Sequence, residues 1–259
     1  MSRKVRYEIN GRVAVVTIDR PEVRNAMDAE VFEGLLDAGR RAGADEDVRA
    51  VVVTGNGPAF SSGIDTTIFT QGGNSDPGTI DIAALQRSFS VFEEIPKPVI
   101  AAVGGPAFGA GLQLAIACDF RVAGADAEFS VMEVRWGLIP DLGGTVRLPR
   151  LIGLGRAKDL AMTARRVGAA EAAAIGLAER ASLAGEHLSV AIDWAADLAA
   201  GPPLAIAAIK RLANQSFDVS VSTGLDREVQ AQRSILFSAD FAEAVMARVQ
   251  KRAPDFHGR

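Results

Sequence analysis

The sequence predicts an α/β fold, and three observations support it. Strand-like and helix-like segments alternate through the first half of the 259 residues. Two strand candidates, Arg49–Thr54 and Val99–Val103, are near-continuous apolar runs rather than alternating ones. That is the pattern of strands buried on both faces of a largely parallel sheet. From about Leu142 onward the spacing turns helical, rich in Ala and Leu and poor in strand formers. Stacked β-β-α or β-α units followed by a helical layer satisfy all three.

Taken in order, Val5–Ile9 and Val13–Ile18 are joined by Asn10-Gly11, a strong short hairpin signal. Asp28 is placed to cap a helix over Ala29–Arg41 whose Val31, Phe32, Leu35 and Leu36 share one face. After strand Arg49–Thr54 comes a Gly/Pro/Ser loop, Asn56–Gly63. The composition of Gln71–Gly78 predicts a mobile loop ahead of a helix near Ile80–Glu94. Pro98 to Cys118 carries no charge, which raises the question of a membrane span. Gly104-Gly105-Pro106 would break such a helix, so the segment reads as a buried strand, a glycine turn and a helix over Gly109–Ala117. Strands follow at Phe120–Ala123 and Glu128–Ser130. Helices are then expected over Ala169–Ala174, His187–Ala200, Pro203–Asn214, Ser222–Phe237 and Ala239–Arg252.

Composition narrows the function. Apolar residues make up 48% and charged residues 23%, which excludes a disordered or fibrous chain. Twenty-eight basic against thirty-two acidic residues give a net charge of −4 and no electrostatic footprint for nucleic acid or an anionic membrane. One cysteine, Cys118, allows no intramolecular disulfide, and two histidines leave no Cys/His cluster for zinc. A cytoplasmic, metal-free protein is the expectation. There is no G-x-G-x-x-G after a strand, no P-loop and no G-x-S-x-G. Cys118 lies among apolar neighbours and reads as a packing residue. Backbone dipoles and carboxylates remain as the means of chemistry.

Three segments can supply them: Ala59-Phe60-Ser61-Ser62-Gly63-Ile64-Asp65, then Gly105 to Leu114, then Glu133 to Thr145. In the second, a helix begins between glycines, so its first amides have no intrahelical acceptor and face a region free of Cβ atoms. Gln113 follows one turn later and can project toward the same pocket.

Together with Arg20-Pro21 and Asn25-Ala26, these segments resemble the crotonase (enoyl-CoA hydratase/isomerase) superfamily over essentially the whole chain. The resemblance implies a spiral of ββα units, placed at 1–197, and a C-terminal helical trimerisation region, placed at 198–259. It implies homotrimers, often paired into hexamers. It also implies an acyl-CoA thioester substrate, with coenzyme A part of that substrate and no separate cofactor. The amides of Ile64 and Ala110 match the family's oxyanion hole, in which loss of one donor typically costs about 3–4 kcal/mol of barrier. Glu133 matches its acid/base glutamate. The bland alternative for Glu133 is a surface carboxylate paired with Arg135. If Glu133 is catalytic, apolar Val131, Met132, Val134 and Trp136 are expected to desolvate it and raise its pKa.

Two departures direct the choice of reaction. The hydratases' second glutamate is Gln113 here, and an amide cannot accept the proton of an attacking water. Asp141 stands where dienoyl-CoA and related isomerases carry an aspartate, its alternative being an N-cap for the turn around Gly143. Glu133 with Asp141 therefore points to double-bond isomerisation. The alternatives are an enoyl-CoA hydratase using Glu133 with Gln113, and a non-catalytic acyl-CoA-binding paralogue. Where family hydratases often have lysines that contact coenzyme A, this chain has Pro58 and Thr67. Arg24 and Lys251 are assigned to its phosphates instead, the backbone near Ser62 and Thr66 to adenine, and Ala26 and Asp65 to the remaining substrate contacts. Arg165-Arg166 and Lys210-Arg211 read as solvated helix faces.

Overall fold

The computed structural model describes residues 3–69 and 81–259. The loop expected over Gln71–Gly78 lies outside them. Strands β1 (Val5–Asn10) and β2 (Val13–Ile18) form the antiparallel hairpin that Asn10-Gly11 signals, with Gly11 at φ +59°. β3 (Ala50–Gly55), β4 (Val99–Val103) and β6 (Phe120–Gly124) add in parallel, and β9 (Arg180–Ser182) completes a six-stranded sheet of order β1-β2-β3-β4-β6-β9. A second sheet of three short strands has β5 (Pro106–Phe108) parallel to β7 (Glu128–Ser130), and β7 antiparallel to β8 (Val167–Gly168).

The continuous apolar runs are explained by burial on both faces. Ala14, Val16, Val51, Val53, Val99 and Ala101 point into the larger core cluster, with Phe32 and Leu35 of α1 (Ala29–Ala44) and Phe89 and Phe92 of α2 (Ile82–Glu94). The alternate residues Val13, Val15, Ala50, Val52, Ile100 and Ala102 meet Ala191, Ala195 and Ala199 of α7 (His187–Ala199) on the opposite face. Asp28 caps α1 by accepting from the Val31 N–H at 3.1 Å, and Asp81 caps α2 by accepting from the Ala84 N–H at 2.9 Å.

Between the sheets and the C-terminal helices lie α3 (Ala110–Ala115), α4 (Gly144–Ile152), α5 (Leu154–Thr163) and α6 (Ala169–Ile175). α8 (Pro203–Gln215), α9 (Val221–Leu236) and α10 (Ala239–Gln250) follow. α7 runs to Ala199 and packs on the sheet, so a division at 197/198 would cut its last turn. No single helix among the described residues is long and apolar enough to cross a membrane, and the uncharged 98–118 stretch folds as β4, β5 and α3.

Two expectations about surface cations fail. Lys210 is only 8% exposed; its Nζ donates to the carbonyls of Phe92 (2.7 Å) and Lys97 (2.9 Å) and pairs with Asp119 (2.8 Å). It fastens α8 to the core, and only Arg211 of the pair faces solvent. Arg165 and Arg166 lie in the connection after α5 rather than on a helix, Arg165 bridging Asp159 and Glu171.

Candidate active site

Two chain segments cross to make the floor of the site. The Ser61 N–H donates to Pro106 O (3.0 Å), and Ser61 O accepts from the Phe108 N–H (2.9 Å), so the loop after β3 is bridged to β5. Beyond this bridge, Gly63 O accepts from the Met27 N–H at 2.8 Å. A trans peptide points its C=O and N–H in opposite directions, so the Ile64 N–H of the same unit points away from Met27. Ala110 is oriented by the same logic. Gly109 O accepts from the Gln113 N–H at 3.0 Å inside α3, which aims the Ala110 N–H out of the helix N-terminus.

Neither N–H has an acceptor among the described residues. The two segments meet closely, since a Cβ on Gly63 would lie 3.8 Å from the Ala110 nitrogen and 3.0 Å from Phe108 O. Gly63 at φ +108° and Gly109 at φ +52°, ψ −118° occupy backbone regions that side chains disfavour, which is why glycine stands at both.

A carboxyl group adjoins this pair of donors. A Cβ on Gly109 would sit 3.3 Å from Glu133 Oε1 and 3.9 Å from Oε2, so Glu133 lies directly beside the residue preceding Ala110. Gln113, only 2% exposed, holds it. Gln113 Oε1 accepts from the Leu142 N–H (2.8 Å) and the Gly144 N–H (2.9 Å), which fixes the orientation of the amide. Gln113 Nε2 then donates to Glu133 Oε1 at 2.6 Å. Glu133 Oε2 is buried with no hydrogen-bond partner among the described residues. Buried polar atoms are normally paired, so an orphan carboxylate oxygen beside two orphan amides singles out this spot.

Burial pushes the Glu133 carboxyl above the ordinary glutamate value. The Asp141 negative charge raises it further, against lowering by its own backbone N–H and by Gln113. Desolvation acts as expected, but Val134 and Trp136 are not its source, being 42% and 69% exposed. Val131, 2% exposed, remains a buried neighbour, and Gly109 and the α3 residue Gln113 lie directly against the carboxyl. Arg135 donates to Thr163 O and leaves Glu133 unpaired, which removes the surface ion-pair alternative.

Asp141 is near enough for its charge to act on Glu133, and its own carboxylate makes no hydrogen bond or ion pair among the described residues. The N-cap of α4 is Gly143, at φ +99°, so capping is not the role of Asp141. Its main chain is held from α2 and α4. Gln86 Nε2 donates to Asp141 O (2.6 Å), and Arg147 donates to Leu142 O (3.1 Å) while gripping Glu93 and Ser90.

The residues assigned to coenzyme A scatter by comparison. Arg24 is exposed at φ +53°, and its carbonyl accepts from the Ser62 N–H at 2.9 Å, which places Arg24 and Ser62 beside the amide pair. Ala26 O and the Asp65 carboxylate both accept from Arg20 Nη1, at 2.6 and 2.9 Å. Thr67 hydrogen bonds, with Arg20, hold Asp65 below the ordinary aspartate range. Asp65 therefore ties down the loop after Ile64 rather than pointing free. Thr66 is exposed at the start of a short helical turn, and Lys251 is exposed just beyond α10 at φ +53°. A cavity of about 810 Å³, bounded by Ile116, Leu142, Val146, Ile206 and Ile209, lies at the other end of α3; Glu133 and the two amides do not line it.

Sequence reasoning brought Ile64, Ala110, Gln113, Glu133 and Asp141 to one region. It assigned nothing to Ser61, Asn25 or Gln86. Ser61, Asn25 and Pro106 all stand in segments that carry the resemblance, but their pairing across the chain leaves no local pattern.

A main-chain pair of free donors with a poorly solvated carboxylate beside it is equipment for moving a proton next to a carbonyl whose oxygen must take up charge. Comparisons with known proteins agree with that class. The family model of enoyl-CoA hydratase/isomerase matches residues 8–259. A probable enoyl-CoA hydratase of Rhodobacter capsulatus is 39% identical over 98% of both chains, and a carnitinyl-CoA dehydratase of Salmonella typhi is 35% identical over the full length of both. Among solved structures, an enoyl-CoA hydratase from Bacillus anthracis superposes with a TM-score of 0.95 at 31% identity, covering 99% of this chain and all of that one. The chain belongs to the enoyl-CoA hydratase/isomerase family, the crotonase superfamily, and is an acyl-CoA enzyme of that family.

Proposed function

We propose that the protein isomerises the double bond of an enoyl- or dienoyl-CoA. In this reading the thioester oxygen accepts from the Ile64 and Ala110 N–H groups. Glu133 Oε2 takes a proton from C2, and the electron pair of that C–H bond moves into the dienolate held by the two amides. Glu133 hands a proton to Asp141 in exchange with solvent, Asp141 delivers a proton at C4, the new double bond settles between C2 and C3, and both carboxylates return to their starting state. The single observation that supports this choice is the condition of Gln113. Both polar atoms of its side chain are committed, Oε1 to two backbone amides and Nε2 to Glu133 Oε1. Position 113 therefore offers no carboxylate to activate water, and Oε2 of Glu133 has no partner among the described residues.

A second reading, hydration by Glu133 with Gln113 as positioner, is favoured by the relatives' names, several of which are hydratases or a dehydratase. Supplying 2-enoyl-CoA and 3-enoyl-CoA separately decides between them. Isomerisation gives 2-enoyl-CoA from the 3-enoyl thioester with no 3-hydroxyacyl-CoA, whereas rapid 3-hydroxyacyl-CoA formation from the 2-enoyl thioester overturns it.

Arg24, beside the amide pair, and Lys251 are assigned to the coenzyme A phosphates in this account. Assembly into trimers through the C-terminal helices is part of the same proposal, supported by Val221, Phe237 and Val249, which are 81%, 91% and 73% exposed. Its check is the solution mass.

A further inference from the structure

We propose that Ser61 is a positioning residue whose hydroxyl keeps the Ile64 and Ala110 amides convergent, an inference that rests on the reading of those amides as the site for the thioester oxygen. Ser61 is fully buried and joined to both halves of the site. On one side its main chain makes the two bonds to Pro106 and Phe108 that lead to Ala110. Gly111 of α3 lies against it so closely that a Cβ there would be 2.6 Å from Ser61 O and 2.9 Å from Ser61 Cβ. Any residue at position 61 could form those main-chain bonds.

The other side needs the hydroxyl. Ser61 Oγ donates to Asn25 O at 2.8 Å and accepts from the Gly63 N–H at 3.2 Å. Gly63 supplies the carbonyl of the peptide whose N–H belongs to Ile64, so that peptide is held at two points, by Met27 at its oxygen and by Ser61 through the preceding nitrogen. Asn25 is itself immobile. It is fully buried at φ +56°, its Oδ1 accepts from the Arg20 N–H (2.8 Å), and its Nδ2 donates to Asn56 O (2.9 Å) and Ala59 O (2.6 Å). One hydroxyl thus couples a rigid anchor to the strained glycine before the donor. Oxygen-stabilising donors act through preorganisation, and small errors of angle weaken them while leaving substrate binding by the rest of the ligand intact.

The test compares wild type with Ser61→Ala, Ser61→Cys and Glu133→Gln. It uses steady-state kinetics on a 3-enoyl-CoA, together with the infrared carbonyl frequency of bound butanoyl-CoA labelled with ¹³C at C1. Wild type is expected to lower that frequency on binding. Ser61→Ala is expected to lose a large part of the lowering and about tenfold in kcat, with KM within about twofold. Ser61→Cys, which nearly keeps the volume but has a weaker donor and acceptor, falls between them, and it provides the test if the alanine variant fails to fold. Glu133→Gln is expected to lose turnover and keep the full lowering. A folded Ser61 variant with the wild-type frequency and kcat overturns the role given to Ser61. A wild-type protein that leaves the carbonyl frequency unmoved refutes the amide-pair reading itself.

Discussion

The six-residue helix α3 treats polar groups in opposite ways at its two ends. At its N-terminus, among the described residues, the Ala110 N–H has no acceptor and Glu133 Oε2 no donor. Beyond its C-terminus the buried polar groups of Cys118, Asp119 and Arg121 are all engaged. Cys118 Sγ donates to Leu114 O, and burial pushes its thiol up to about 12. Asp119 accepts from the Val99 N–H and pairs with Lys210, while the Arg121 guanidinium serves the carbonyls of Leu177, Ala115 and Cys118 and the Glu179 carboxylate. Pairing at one end holds the fold together, and vacancy at the other leaves groups available to a ligand. A buried carboxylate is informative only once its partners are counted, and Asp119 and Glu133 differ in that count more than in depth.

Substitutions sharpen the contrast. The largest effect is expected from Glu133→Gln, which keeps the shape of the side chain and removes the base: turnover of a 3-enoyl-CoA falls about 10³-fold with little change in KM, read by steady-state kinetics. Lys210→Met attacks the satisfied end. It strands Asp119 in the core, so unfolding free energy falls by about 3–5 kcal/mol and Tm by roughly 10 °C in calorimetry, while kcat per folded molecule is unchanged. Asp141→Asn comes next and is expected to slow the proposed isomerisation about 10²-fold, because it removes the group proposed to reprotonate C4.

The smallest effect concerns pH. Burial holds the Glu133 pKa above its unfolded value, so between the two values the native state binds more protons than the unfolded chain. Stability therefore falls as pH rises through that window, and the penalty is complete above the folded pKa. Glu133→Gln lacks the titrating group. Its melting temperature is expected to match wild type below the ordinary glutamate pKa and to exceed it slightly at neutral pH. Equal melting temperatures at every pH would contradict the burial assigned to Glu133.

Much of this was legible in the sequence because the physics was local. Asn10-Gly11 fixes a hairpin, Asp28 caps α1, and valine runs mark strands covered on both faces, one of them by the alanine stripe of α7. Glycines on either side of Ala110 announce a helix N-terminus open to an anion. Non-local pairing stayed hidden. β5 and β9 have three residues each and exist because β7 and β6 lie beside them, so no propensity signals them. Lys210 follows a helical pattern that fits solvent as well as core, and the carbonyls of Phe92 and Lys97 with the Asp119 carboxylate decide. The shielding of Glu133 was placed on neighbours in sequence, of which Val131 is buried but Val134 and Trp136 are exposed, while Gly109 and Gln113 lie against it from elsewhere in the chain.

The central claim is that two converging amides hold an acyl-CoA oxygen while Glu133 exchanges a proton with C2. Incubation of a 3-enoyl-CoA in D₂O, followed by mass spectrometry of the recovered thioesters, addresses it most directly. The expected result is deuterium incorporation with wild type and none with Glu133→Gln. Equal incorporation by both proteins, or none by wild type, would contradict the account.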